Sequence, residues 1–381
     1  MKPLKNIIAL LTNQCNLACP YCFEERDERR MDLETGKDIL TYLHKSADRP
    51  GLTFFGGEPM LEWDRLIVPL VLWDEETYQN AARFNMTTNG TLLTEDRLEF
   101  LLKHNISFML SMDGGRETQD SGRPMKSGES GFDRLMKIIP SILWRRPGQV
   151  VRSTLTPSSC GRFFQDLMFF RETGFQNVAV MPDVFQKWDA RTVSSLSSEL
   201  GKYEDYVIDT FRAGETPLLF FEYQKAFRRI AGVLAEERAG TRRASPECLA
   251  KNQCGFGLRG GASADVDGNL YGCHHVTMNR ESPFFIGDVY HGVDEERVNA
   301  LVSLYDPMKL GGEKCETCPL DRVCNGGCKP NNYQLFGDLH HVPDIYCIWM
   351  RMVTESAYRA ACALGDNERF IETYKAAVLR G

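Results

Sequence analysis

Six short apolar runs divide the first half of the chain: NIIALL (6–11), LTFF (52–55), ARFNMT (82–87), ISFMLS (106–111), QVVRSTL (149–155) and NVAVM (177–181). Stretches with helical periodicity lie between them. Two of these carry start signals: Asp32 stands before LETGKDILTYLHK, and Thr94 before EDRLEFLLKHN. Both side chains can accept from the free N–H groups of a helix's first turn. Strand, helix, strand at this spacing predicts parallel pairing with right-handed crossovers. The expected fold is α/β, with six units making a partial barrel or a wound sheet. In such folds ligands collect at the carboxyl ends of the strands.

Beyond the sixth run the pattern changes. Residues 191–247 read as a helical, charged insert, 248–347 as a loop-rich segment with eight cysteines, and 348–381 as a mainly helical end, after a first unit over 1–190. SADVDGNLYGC (263–273) reads as a hairpin turning at Asp267-Gly268. The net charge of −7 argues against a nucleic-acid surface. The apolar run LIVPLVLW (66–73) is too short to span a bilayer and contains Pro69, so no membrane partner is expected. The N-terminus begins like a signal peptide, but its apolar run is short, no small-residue cleavage site follows and Cys15 comes at once. A cytoplasmic protein is expected. In a reducing compartment thirteen cysteines, an odd number, point to metal or redox chemistry more than to disulfides.

Three of them, Cys15, Cys19 and Cys22, follow the first strand directly in CNLACPYC. Four thiolates close a [4Fe–4S] cube; three leave one iron open, as a catalytic metal needs. A zinc knot with a distant fourth ligand is the alternative that the spacing allows. CxxxCxxC with Tyr21 before the last cysteine resembles the radical S-adenosylmethionine (SAM) superfamily, and so do GGEP (56–59), TTNGTLL (87–93) and SMDG (111–114), each at a strand end. The resemblance implies a partial (β/α)6 TIM-like barrel. It implies that SAM chelates the open iron and is cleaved reductively to a 5′-deoxyadenosyl radical, which takes hydrogen from the substrate. By the same resemblance Tyr21 lies at the SAM site, Gly56, Gly57 and Glu58 serve the SAM ammonium, Asn89 and Ser111 lie near its ribose and methionine, Arg123 pairs with its carboxylate and Val178 flanks the adenine. Glycine lets a backbone come close to a ligand, and the Glu58 carboxylate can accept from an ammonium.

In the second half the cysteines run Cys248-x5-Cys254, Cys273, Cys315-x2-Cys318-x5-Cys324-x3-Cys328 and Cys347. Eight thiols suit two four-cysteine clusters or two zinc ribbons. Beside the motifs above, their order resembles a SPASM domain with two auxiliary [4Fe–4S] clusters. That implies Cys248, Cys254, Cys273 and Cys328 on the first and Cys315, Cys318, Cys324 and Cys347 on the second, three clusters in all. Cys160 and Cys362 have no ligand spacing and are expected to be incidental thiols. GFGLRG (255–260) fits G-x-G-x-x-G but follows a cysteine rather than a strand, the wrong context for a dinucleotide site.

Enzymes of this kind act mostly on peptides and proteins. One subclass, the anaerobic sulfatase-maturing enzymes, oxidises Cys or Ser to formylglycine and carries an Asp after the cysteine equivalent to Cys273. Here that position is His274, a candidate base, followed by His275. The other subclass installs thioether or carbon–carbon crosslinks in ribosomally made precursor peptides, and this is the favoured expectation. With 14 residues before Cys15, recognition of the precursor is expected to rest on the barrel, the insert or a separate peptide-recognition protein. A flavodoxin- or ferredoxin-type electron donor is implied. A non-catalytic iron–sulfur or zinc scaffold is the reading from a different class, and GGEP with the strand-end motifs speaks against it.

Overall fold

The computed structural model describes residues 4–24, 26–238, 261–276, 278–306, 309–320, 324 and 326–365, with the backbone alone for 231–238, 313 and 316. The six apolar runs are strands: β1 (Asn6–Thr12), β2 (Gly51–Gly56), β3 (Arg83–Thr88), β4 (Ser107–Ser111), β5 (Val150–Leu155) and β6 (Asn177–Pro182). Each pairs in parallel with the next in sequence, so the sheet curls as a partial barrel and is not doubly wound. Helices α1 (Leu33–Ser46), α2 (Val68–Thr77), α3 (Glu95–Lys103), α4 (Arg116–Gly122), α5 (Gly131–Arg145) and α6 (Phe163–Thr173) make the crossovers. Asp32 and Thr94 cap α1 and α3 as expected, accepting from Thr35 N and Arg97 N.

The cysteine-rich half is not a separate layer. β7 (Gly261–Ala264) pairs in parallel with β1, and β8 (Asn269–Tyr271), β9 (Phe285–Asp288) and β10 (Gly292–Val293) extend the same sheet to ten strands. The β7–β8 hairpin turns where Asp267-Gly268 requires. At the opposite edge, α7 (Ala190–Arg212), α8 (Phe221–Arg238) and α12 (Asp344–Ala363) pack together beside β6, after α9 (Glu295–Ser303), α10 (Glu313–Glu316) and α11 (Lys329–Phe336). Trp349 of α12 is wholly buried there, with its ring 5.7 Å from both Phe163 and Phe220. Among the described residues no helix is long and apolar enough to cross a membrane.

Strand alternation sorts the chemistry. Leu52, Phe54, Phe84, Met86, Leu110, Val151, Leu155, Val178 and Val180 pack outward under the helices. Their neighbours therefore face the barrel interior: Phe55, Thr87, Ser111, Arg152, Thr154, Ala179 and Met181. The outer face is a packed core and the inner face is mixed, as a ligand cavity requires.

Asp166 of α6 fixes the loop after β4, accepting from Gly115 N (2.9 Å) and from Thr118 Oγ1 (2.8 Å). Burial pushes its carboxyl up from 3.8 to about 7. Between those values the folded state keeps a proton that the unfolded state has lost, so this group's contribution falls as pH rises. Asp166→Asn removes the titration. The stability difference should move in the variant's favour from pH 4 to 7, by about 1.4 kcal/mol per pH unit at the steepest. Parallel urea-midpoint profiles for the two proteins would count against a carboxyl held in this way.

Candidate active site

The three-cysteine loop leaves β1 at its carboxyl end. Cys15 and Cys19 are half-buried, Cys22 is exposed, and all three are free thiols. They stand close enough that Cys15 and Cys22 both bear on Cys19, whose pKa burial pushes up to about 11. Arg123 pulls the Cys19 value back down and Arg26 does so for Cys15, favouring thiolates. Among the described residues no three His, Cys, Asp or Glu side chains converge as ligands of a single metal ion; in a cube each thiolate takes its own iron. The loop is stitched to the segment after α4 by Ala18 N to Pro124 O (2.8 Å) and Lys126 N to Asn16 O (3.0 Å).

GGEP is the second support. Gly57 N donates to Thr12 O (2.8 Å) and Glu58 N to Gln14 O (2.9 Å). A Cβ on Gly56 would overlap the Thr12 carbonyl oxygen, and one on Gly57 the Gln14 carbonyl oxygen; Gly56 also has φ +125°. The close approach that needs glycine is thus between two pieces of protein backbone. Glu58 is 1% exposed. Its Oε1 accepts from Met60 N (3.0 Å) and Thr88 Oγ1 (2.7 Å), and its Oε2 from Asn89 N (2.8 Å). Burial raises its pKa to about 7 against the pull of these donors. A carboxylate has about four acceptor sites, so three protein bonds leave room for one more donor. Asn89 continues the chain, with Nδ2 donating to Asn16 Oδ1 (2.9 Å) and lying 3.9 Å from Cys15 Sγ.

Asp113, in SMDG, organises the other side, and motif reading did not single it out. It accepts from the Tyr21 hydroxyl, from Arg123 Nη2 (3.0 Å) and from Thr154 N (2.9 Å). The Arg123 guanidinium lies 5.5 Å from the Tyr21 ring centroid, and its Nε is buried without a partner among the described residues. That orphaned donor is where a ligand's acceptor fits. Ser111 faces inward at the end of β4. Val178 does not share this face: its fully buried side chain lies in the core under the helices. Strand alternation gives the inward positions of β6 to Ala179 and Met181.

In the second half, Cys315, Cys318, Cys324 and Cys347 line one cavity of about 70 Å³ with Leu310, Val342 and Met350. Cys273 follows β8 and Cys328 caps α11. Cys248, Cys254 and GFGLRG lie outside the described residues. Cys160 is buried and Cys362 exposed. His274 sits edge-on to Phe55 (4.8 Å) and beside His275 (4.3 Å), which stacks on Phe23 (4.7 Å). Burial drives the His274 pKa down to about 3 and that of His275 to about 4. Burial thus works against a charged imidazole at position 274.

Fold and site resemble those of radical SAM enzymes. Residues 10–142 match the radical SAM superfamily. An uncharacterised protein of Methanocaldococcus jannaschii is 34% identical over 128 residues, 33% of this chain and 44% of that protein, so the chain spans less than half of that relative. A cysteine-type anaerobic sulfatase-maturating enzyme of Clostridium novyi is 23% identical over 351 residues, 87% of this chain and 89% of that one. Among solved structures, anSMEcpe with bound AdoMet superposes with a TM-score of 0.73 at 18% identity, covering 99% of this chain and 98% of that one. Streptococcus suis SuiB bound to precursor peptide SuiA superposes at 0.57 with 19% identity, covering 91% and 76%.

Glu58→Gln presents an amide N–H₂ to at least one of three donors. We expect a loss of about 1–3 kcal/mol in folding stability, the cost of leaving a buried donor unpaired. An unchanged melting temperature by circular dichroism would show that the three bonds hold nothing.

Proposed function

We propose that this enzyme binds SAM on a cluster held by Cys15, Cys19 and Cys22 and modifies a peptide by hydrogen abstraction. The observation that carries the reading is the three-thiol loop clamped between Gly56–Glu58 and the Tyr21–Asp113–Arg123 group at adjoining strand ends. The residues fit the cofactors. Three neighbouring thiols supply three ligands, the Arg123 Nε suits a carboxylate, the remaining acceptor site on Glu58 suits an ammonium, and Ser111 offers an inward hydroxyl. Bound there, cluster and SAM supply a 5′-deoxyadenosyl radical. The protein's own part is to orient SAM and keep water out.

The four thiols around the 70 Å³ cavity support an auxiliary cluster on Cys315, Cys318, Cys324 and Cys347. We assign Cys273 and Cys328, with Cys248 and Cys254, to a further one, three clusters in all. The domain boundaries at 190/191, 247/248 and 347/348 belong to the same proposal, although one sheet runs through the first unit and the cysteine-rich half. The favoured reaction is an oxidative crosslink in a precursor peptide, with electrons from a flavodoxin- or ferredoxin-type donor. His274, where sulfatase-maturing enzymes carry Asp, favours this over formylglycine formation. The second reading, formylglycine, has the near full-length similarity to sulfatase-maturating enzymes behind it.

Anaerobically reconstituted protein should release 5′-deoxyadenosine from SAM and dithionite. Replacing Cys15, Cys19 and Cys22 together with Ala should remove one cluster's iron and all cleavage. Cleavage that survives in the triple variant would refute the assignment.

The reaction class is read by co-expression with short neighbouring open reading frames, followed by mass spectrometry. A crosslink loses two hydrogens and ignores a hydrazide tag, whereas formylglycine takes the tag. A tagged product would sink the crosslink.

A further inference from the structure

The inner wall of the barrel carries a charge that the site above leaves unused. Arg152 is the third residue of β5, and its neighbours Val151 and Leu155 pack outward, so Arg152 faces the interior. The strand register sets it between Ser111 of β4 and Ala179 of β6. Ala179 brings only a methyl group, which leaves space beside the guanidinium. Among the described residues that guanidinium makes no hydrogen bond or ion pair, and neither does the Ser111 hydroxyl.

The charged and titratable groups that face it come from several elements: Glu222 of α8, Asp113 and Arg123 above β4, and Cys328 before α11. Arg152 in turn acts on His275 after β8. Glu222 and Asp113 favour its charge, but neither forms an ion pair with it among the described residues. Asp113 is consumed by Tyr21, Arg123 and Thr154 N. Glu222 accepts from Val180 N (3.2 Å), and burial raises its own carboxyl pKa. Burial likewise works against the charge on Arg152. Arg152 is half-buried, and a guanidinium so placed gains from a charged partner that replaces the lost water. Its planar fork matches a carboxylate through two parallel bonds.

This cation borders the SAM site without being its carboxylate partner. Arg123 already offers a cation to the SAM carboxylate and bears on Cys19, whereas Arg152, beside Ser111, has Asp113 and Arg123 on one side and His275 and Cys328 on the other. It therefore stands between the three-cysteine loop and the cysteine-rich half, where a substrate would have to lie. Resting on the function proposed above, we propose that Arg152 holds a carboxylate of the peptide substrate, an Asp or Glu side chain close in sequence to the residue that is modified.

The test uses reconstituted holoenzyme with SAM and two pools of capped octapeptides, each with a central Cys or Ser. In one pool a single Asp or Glu scans the flanking positions, and in the other a single Asn or Gln. Peptides retained after rapid gel filtration are counted by mass spectrometry. The acidic pool should be retained about tenfold better, with one or two positions dominating, as expected for a charge-assisted bidentate pair. Arg152→Gln should abolish that preference and Arg152→Lys should keep part of it.

Equal retention of the two pools by the wild-type enzyme, or retention of neither, overturns the proposal, and this arm needs no variant. If Arg152→Gln costs as much SAM affinity by equilibrium dialysis as it costs peptide retention, the carboxylate is that of SAM, and the proposal falls. It falls as well if the variant shifts an auxiliary-cluster EPR signal and leaves peptide selection intact. Failure of the underlying function reads separately: wild-type protein would then make no 5′-deoxyadenosine, whatever peptides it retains.

Discussion

A buried carboxylate holds the strand ends in place. Glu58 ties the turn after β2 to the end of β3 through Thr88 and Asn89, and Asn89 reaches on to Asn16 inside the three-cysteine loop. The Gly56–Gly57 backbone lies directly on residues 12–14. Three consecutive strand ends are thus fixed to each other by short polar contacts that exclude water. A loop carrying reactive thiols gains its geometry from these neighbours rather than from its own sequence, which has no regular secondary structure.

Much of this was legible in the sequence because it rests on local patterns. The six apolar runs became six strands with ends shifted by only a residue or two, and Asp32 and Thr94 cap the helices they precede. GGEP and CNLACPYC could be placed at strand ends because each directly follows an apolar run. Parity was the missed signal. Val178 was taken as a ligand contact by motif position, yet it alternates with Ala179 and shares the outward phase of Val180. The same alternation in QVVRSTL puts Arg152 on the inner face, a placement that parity alone gives. Asp113 was hidden for another reason: its three partners come from positions 21, 123 and 154, a convergence that only the fold creates.

His274 shows how environment overrides residue type. Histidine's ordinary pKa suits acid–base work near neutrality. Wedged against Phe55 and His275, this one loses the hydration that its cation needs, and its affinity for protons falls. An imidazole packed edge-on against Phe55 beside a half-buried cysteine helps to keep solvent away from that cysteine.

The second cysteine pocket is bound to the barrel by shared packing. Cys347 lies in the first turn of α12, and Trp349, two residues on, is sealed into the core beneath β5 and β6. From the other side Met181, on the inward phase of β6, packs against Tyr346 and Leu310 beside the same cysteines. One helix turn therefore carries both a thiol of the pocket and an anchor in the barrel. A shift of the pocket would have to expose Trp349 or tilt α12 against α7 and α8. Burial of that indole is worth several times the thermal energy, so the pocket and the strand ends move as one body. Redox groups held at these two places would keep a fixed separation through turnover, and a substrate between them would meet a cavity whose two walls are set by the same core.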